Sequence, residues 1–262
     1  MSRLTATFEA LRRDARTGLV TYVTGGDPDA VRSREILLSI AAAGADVLEV
    51  GVPFSDPIAD GPAIQRATER ALAAGGNLGA TLDLVAGVRA EIAQPIVLFS
   101  YVNPVLRMGI DAFATRAGAA GVDGVLLLDL PIEESEAVRA TLDAHGMDQI
   151  FLISPTTTDA RLREAARLGR GFLYVISRLG VTGVRDAVSA SAEPLVRRVR
   201  AFSDLPVAVG FGLSRPEHLR EVAAYADAAV VGSALVTVIA RESGGPDVAA
   251  AAGQFVSWLR KG

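Results

Sequence analysis

Residues 43–53 read AGADVLEVGVP, residues 120–131 read AGVDGVLLLDLP, and residues 225–234 read YADAAVVGSA. In each, an aspartate opens a short, continuous apolar run. Runs of this kind recur along the chain: LVTYV at 19–23, DVLEVG at 46–51, PIVLFS at 95–100, GVLLLD at 124–129, QIFLI at 149–153, GFLYVIS at 171–177, PVAVG at 206–210 and DAAVVG at 227–232. Most do not alternate with polar residues, which is the pattern of parallel strands covered on both faces. Between them the spacing predicts helices over 30–43, 62–73, 78–93, 110–118, 133–145, 159–168, 192–202 and 215–224, with a last one ending near Trp258. Eight strand-helix units in 262 residues predict an α/β fold of the (β/α)8, or TIM-barrel, type. A doubly wound sheet is the alternative. The echo among the three stretches is weaker evidence than the count, because any βα unit with a turn before an apolar strand produces it. With no linker or low-complexity stretch in view, residues 1–262 are expected to form a single domain with extra helices.

Composition narrows the function classes. Half of the residues are hydrophobic, and 26 basic against 30 acidic residues leave a formal net charge of -4 without a block of like charge. A nucleic acid or an anionic membrane is therefore a poor partner, and a small molecule or another protein a better one. The chain has no cysteine, and His145 and His218 lie far apart, so no metal site is expected. The N-terminal run MSRLTATFEALRRDARTG lacks the apolar centre of a signal peptide. DAAVVGSALVTVIA is too short and too interrupted to span a bilayer, and a soluble, cytoplasmic protein is expected.

In a barrel of this type, function belongs at the C-terminal ends of the strands and the loops that follow. Three such loops are rich in glycine: GVTG at 180–183, GFG at 210–212, and the Gly232-Ser233 pair that leads into the helical ALVTVIA. Glycine lets a backbone approach a ligand closely, and a helix N-terminus offers free N–H groups to an anion. Ser233 is a candidate cap for that helix. Together the loops predict a phosphate site.

Glu49 stands inside an apolar strand, on the face of Val47 and opposite Leu48 and Val50. An ionised carboxylate there is costly unless it finds a donor or stays protonated, and no basic residue occurs in the strand runs to pair with it. A carboxyl held protonated near neutral pH is what general acid-base chemistry requires. Asp60 is different. Its place in ADGPAIQRA, like those of Asp27 in TGGDPD and Asp56 before Pro57, reads as an ordinary turn or cap residue.

The run LEVGVPFSDPIADGPAIQRA, with LPIEES at 130–135, SRLGVTGVR at 177–185, GFGLS at 210–214 and GSALV at 232–236, closely resembles the tryptophan synthase alpha chain family, and the resemblance extends over essentially the whole chain. It implies a lyase that splits indole-3-glycerol phosphate into indole and glyceraldehyde 3-phosphate by a reversed aldol reaction, the alpha reaction of EC 4.2.1.20, with no cofactor or metal of its own. By the same resemblance Glu49 is the acid-base group and Asp60 holds the indole N–H. Tyr22, Phe99, Leu126 and Leu152 would line the indole pocket, with Tyr174 beside Glu49 and Thr182 closing over Asp60. Gly183, Gly212, Gly232 and Ser233 fall on the phosphate positions, and residues 178–193 on a closing lid. Tyr22 departs from the phenylalanine common at its position, and its hydroxyl needs a partner. The family's partner is a beta chain that carries pyridoxal phosphate and consumes the indole in an alpha2beta2 tetramer, and loop 53–60 is where the two chains meet.

Two other readings remain open on the sequence. One is a different phosphate-binding barrel, an isomerase or decarboxylase, which would need a Lys or His at a strand end; the only lysine is Lys261. The other is a non-catalytic activator of a beta chain.

Overall fold

In the computed structural model, which describes residues 2–176, 191–210 and 212–261, eight parallel strands close into a barrel in chain order. They are β1 (Gly18–Thr24), β2 (Val47–Gly51), β3 (Ile96–Ser100), β4 (Gly124–Leu127), β5 (Asp148–Ile153), β6 (Leu173–Ile176), β7 (Val207–Gly210) and β8 (Ala228–Val231), one on each apolar run. Because β1 pairs with both β2 and β8, the sheet has no open edge. The doubly wound alternative is thereby excluded.

Successive strand residues point to opposite faces, so each strand feeds two clusters. Val20, Val47, Val97, Leu126, Ile150, Ala208 and Ala228 pack in the barrel interior. Leu19, Leu48, Val50, Ile96, Leu98, Val125 and Val209 instead join the layer between barrel and helices. Glu49 follows Val47 by two positions and therefore shares the interior face, as its sequence context requires.

The helices among the described residues are α1 (Arg3–Arg13), α2 (Ala30–Ala42), α3 (Pro62–Ala73), α4 (Leu78–Arg89), α5 (Val102–Met108), α6 (Ile110–Ala120), α7 (Ser135–Ala144), α8 (Asp159–Leu168), α9 (Ala192–Arg200), α10 (Pro216–Ala223), α11 (Ser233–Glu242) and α12 (Val248–Leu259). α1 and α5 have no counterpart among the predicted segments. The spacing that marks α1 is present at Leu4, Phe8 and Leu11, and these three side chains fill the N-terminal mouth of the barrel within the interior cluster. Phe8 meets Phe172 there, with ring centroids 5.5 Å apart. α5 is a short helix that starts directly from the end of β3, too brief for periodicity to reveal. Among the described residues no single helix is long and apolar enough to cross a membrane; α3 and α4 reach that length only together, across a 90° bend.

The aspartates of the three echoing stretches share one structural task. Asp46, Asp123 and Asp227 each stand just before a strand, and each donates its backbone N–H to a residue on the preceding strand: Leu19 at 2.8 Å, Ile96 at 2.9 Å and Val207 at 2.9 Å. Each carboxylate then accepts the N–H of that same residue, at 2.7 Å, 2.8 Å and 2.8 Å respectively. Two arginines close over every one of them: Arg16 and Arg260 on Asp46, Arg3 and Arg89 on Asp123, Arg12 and Arg200 on Asp227. One arginine of each pair comes from α1 or the turn after it, so the plug is tied to the barrel rim as well as packed into it.

Three local expectations need correction. Asp27 is not a helix cap: Asp29 caps α2 by accepting from Arg32 N–H, while Asp27 is buried against the Arg70 guanidinium at 2.7 and 2.8 Å. Ser233 is the first residue of α11, whose cap position is Gly232. The expected helix over 133–145 begins as a single 3-10 turn, Ile132–Glu134, before α7.

Candidate active site

Four strands place aromatic or acidic side chains at the C-terminal mouth of the barrel. Tyr22 on β1 lies in register with Glu49 on β2. Glu49 is fully buried, and neither carboxylate oxygen has a hydrogen-bond partner. Burial alone pushes its pKa from 4.5 up to about 8, so the group is mostly protonated at neutral pH. Phe99 on β3 meets Tyr22 edge-on, with centroids 5.3 Å apart and planes at 74°. Tyr174 on β6 completes the wall.

Two glycines make room for the tyrosines. A Cβ at Gly51, the last residue of β2, would overlap the Tyr22 hydroxyl, and one at Gly210, the last of β7, would overlap that of Tyr174. Burial and the nearby acids raise both phenols well above their ordinary pKa, so both are neutral. The hydroxyl that Tyr22 carries finds Thr24 Oγ1 at 3.5 Å, a long contact.

Asp60 ends the loop that follows β2, with Gly61 as the cap of α3 and Pro62 in its first turn. It does not cap the helix; its side chain is buried and turned to the cavity shared with Glu49. Burial raises its pKa from 3.8 to about 6, against a hydrogen bond from the Tyr101 hydroxyl that lowers it. That hydroxyl in turn accepts the Ala59 N–H at 2.9 Å, and the Asp60 carbonyl accepts from Gln65 Nε2 at 2.9 Å. Tyr101 escaped the sequence reading. Its position immediately after β3, at the mouth where barrel function resides, is the mark that could have found it.

Opposite the acids, β8 runs through Gly232 into α11. Val236 N–H is bonded to Gly232 O, which leaves the N–H groups of Ser233, Ala234 and Leu235 without a partner in the helix. Ser233 and Ala234 face the same cavity, as does Gly212 after β7, whose φ of +80° lies in the left-handed region that favours glycine. Three aligned donors at the positive end of a helix form a place for an anion.

These groups surround one cavity, whose apolar wall is completed by Ile64, Leu213 and Val230. Sequence reading had not singled out those three. It had placed Leu126 and Leu152 on the wall, and the structure does not. Leu126 is fully buried in the interior cluster, and Leu152 packs against that cluster and faces a neighbouring groove over the ends of β4 and β5. Thr182, Gly183 and residues 178–190 of the expected lid lie outside the described residues; 191–193 lead into α9.

An acid held protonated, an acid held near its ionisation point, an apolar slot between them and an anion site across from them suit a flat aromatic substrate with a phosphate tail. Residues 8–257 match the family described as Tryptophan synthase alpha chain. The tryptophan synthase alpha chain of Geobacter sulfurreducens is 49% identical, covering 100% of this chain and 98% of its own. That of Caulobacter vibrioides is 50% identical, covering 90% and 86%. The solved tryptophan synthase subunit alpha from Legionella pneumophila matches with a TM-score of 0.92 at 36% identity, covering 100% of this chain and 98% of that one. Tryptophan synthase from Mycobacterium tuberculosis matches with a TM-score of 0.90 at 40% identity, covering 100% and 99%. With a fold, a cavity and a full-length similarity that agree, the chain belongs to the tryptophan synthase alpha chain family.

Proposed function

We propose that Glu49 and Asp60 are the groups with which this chain carries out its family's reaction, the cleavage of indole-3-glycerol phosphate to indole and glyceraldehyde 3-phosphate. The observation that carries the assignment is Glu49, buried in the cavity with both oxygens unpaired and its proton retained up to about pH 8. Protonated Glu49 donates to C3 of the indole, and the ring nitrogen becomes part of a cationic C=N. Asp60, as a carboxylate, accepts the ring N–H and stabilises the positive charge that develops there. The Glu49 carboxylate then takes the proton of the side-chain hydroxyl next to C3. An aldehyde forms, the carbon-carbon bond breaks, and its electrons return to the ring. The net transfer is one proton from oxygen to carbon, and Glu49 ends as it began.

Gly212, Gly232 and Ser233 are assigned to the phosphate, with Tyr22, Phe99 and Tyr174 around the indole. Gly183 and Thr182 keep the roles that the resemblance implies. The family's beta chain is the partner of this chain. Pyridoxal phosphate, which would act on the released indole, is assigned to that partner, and no group of this chain to a cofactor. An alpha2beta2 assembly that meets at loop 53–60, in the cytoplasm, and a single barrel domain over residues 1–262 complete the reading. Ile58, 79% exposed on that loop, supports the contact.

Glu49→Gln tests the assignment, since it keeps shape and neutrality but cannot release a proton. Indole release from indole-3-glycerol phosphate, with and without an added beta chain, should fall by on the order of 100-fold or more. Turnover near wild type would sink it.

A further inference from the structure

Tyr22 stands between the acid and the anion site. Its strand, β1, pairs on one side with β2, where Tyr22 is in register with Glu49, and on the other with β8, which runs on through Gly232 into Ser233. A Cβ at Gly232 would lie 3.4 Å from the Cβ of Tyr22. With the indole C3 at Glu49 and the phosphate at Gly232 and Ser233, the carbon chain that joins them has to cross the end of β1. Tyr22 is the cavity-lining side chain it meets there.

The hydroxyl is placed for that chain. Gly51 follows Glu49 by two positions, so a side chain there would project to the same interior face. Its Cβ would come within 2.2 Å of the Tyr22 oxygen. The phenol therefore leans one layer beyond Glu49, toward the C-terminal mouth, into space that the glycine leaves open. Among the described residues its oxygen has one hydrogen-bond contact, to Thr24 Oγ1 at 3.5 Å, which is beyond the range of a good O–H···O bond. A buried hydroxyl ordinarily completes such a bond, and this one is neutral, with a proton to give. The indole carbons offer it no oxygen or nitrogen acceptor, whereas the chain between ring and phosphate carries hydroxyls. We propose that the Tyr22 hydroxyl hydrogen-bonds a hydroxyl of the substrate's glycerol chain, so that Tyr22 is a specificity-determining residue whose ring flanks the indole and whose oxygen reads the chain. The inference rests on the placement of C3 and phosphate given above.

Indole-3-propanol phosphate has the same ring and phosphate and lacks the chain hydroxyls, so it separates the two contributions of Tyr22. Tyr22→Phe keeps the ring edge-on to Phe99 and removes only the oxygen. In that variant kcat/KM for indole release from indole-3-glycerol phosphate should fall about 10-fold. The Kd of indole-3-propanol phosphate, measured by calorimetry, should stay within about twofold of wild type, which also shows that the variant is folded. If binding of the analogue weakens by as much as kcat/KM falls, Tyr22 serves the cavity wall alone and the proposal is overturned. An unchanged kcat/KM overturns it as well. Glu49→Gln separates the two levels. Turnover near wild type in that variant would remove the acid-base reading and the premise of this inference, whereas crippled turnover there beside an unselective Tyr22→Phe removes this inference alone.

Discussion

The burial that keeps Glu49 protonated also makes it a liability to the fold, and the sign can be worked out. Unfolded, the carboxyl ionises near 4.5; folded, near 8. Between those values the folded state holds a proton that the unfolded state has lost, so stability falls as pH rises through the window. Glu49→Gln should match wild type in urea unfolding at the acid end and exceed it at pH 8 by on the order of 4 kcal/mol, reduced by whatever water enters the cavity. Curves that stay together at both ends would mean that the folded carboxyl titrates normally. Glu49 could be recognised in the sequence because a strand otherwise made of Val and Leu had nothing basic to pair with it. Asp60 could not. Its neighbours in sequence are those of a turn, and the groups that bury it, Tyr101 after β3 and the cavity wall, come from distant parts of the chain. Leu126 and Leu152 erred for a related reason: alternation tells which face a residue takes, and not how far along the barrel the cavity reaches.

At the level of elements, the strands were readable because both faces of each are covered, which writes the whole strand in apolar letters. The ends of helices were less so, since a cap is decided by which acid reaches a free N–H, and Asp29 does where Asp27 does not. The aspartates that open three of the apolar runs have a structural explanation that alternation could not supply. Each accepts an N–H from the neighbouring strand and pairs with two guanidiniums. Asp123→Ala should therefore lower the unfolding free energy by about 2–4 kcal/mol, because it strands the Ile96 N–H and leaves Arg89, itself largely buried, without its counter-charge. Asp123→Asn, which retains a carbonyl acceptor, should cost less. Equal losses for the two in denaturant titrations would assign the effect to charge alone.

Across the whole molecule, stability and chemistry occupy opposite ends of one barrel. The α1 plug and the aspartate pairs close the N-terminal mouth, while the cavity that holds Glu49 and Asp60 opens at the C-terminal one. Phe8→Ala should remove about 3–5 kcal/mol of stability by leaving a hole beside Phe172. At a temperature where the variant remains folded, its kcat/KM for indole release should be unchanged. A matching loss of activity would show that the two ends are coupled through the interior.

The rim contacts of α1 also carry an implication for synthesis. Arg12 is made long before its partner Asp227, which follows 215 positions later. Leu4, Phe8 and Leu11 cannot find their seat on a growing chain until the last strand has been made. For most of synthesis α1 thus has an apolar face without the complete barrel mouth that buries it in the folded protein.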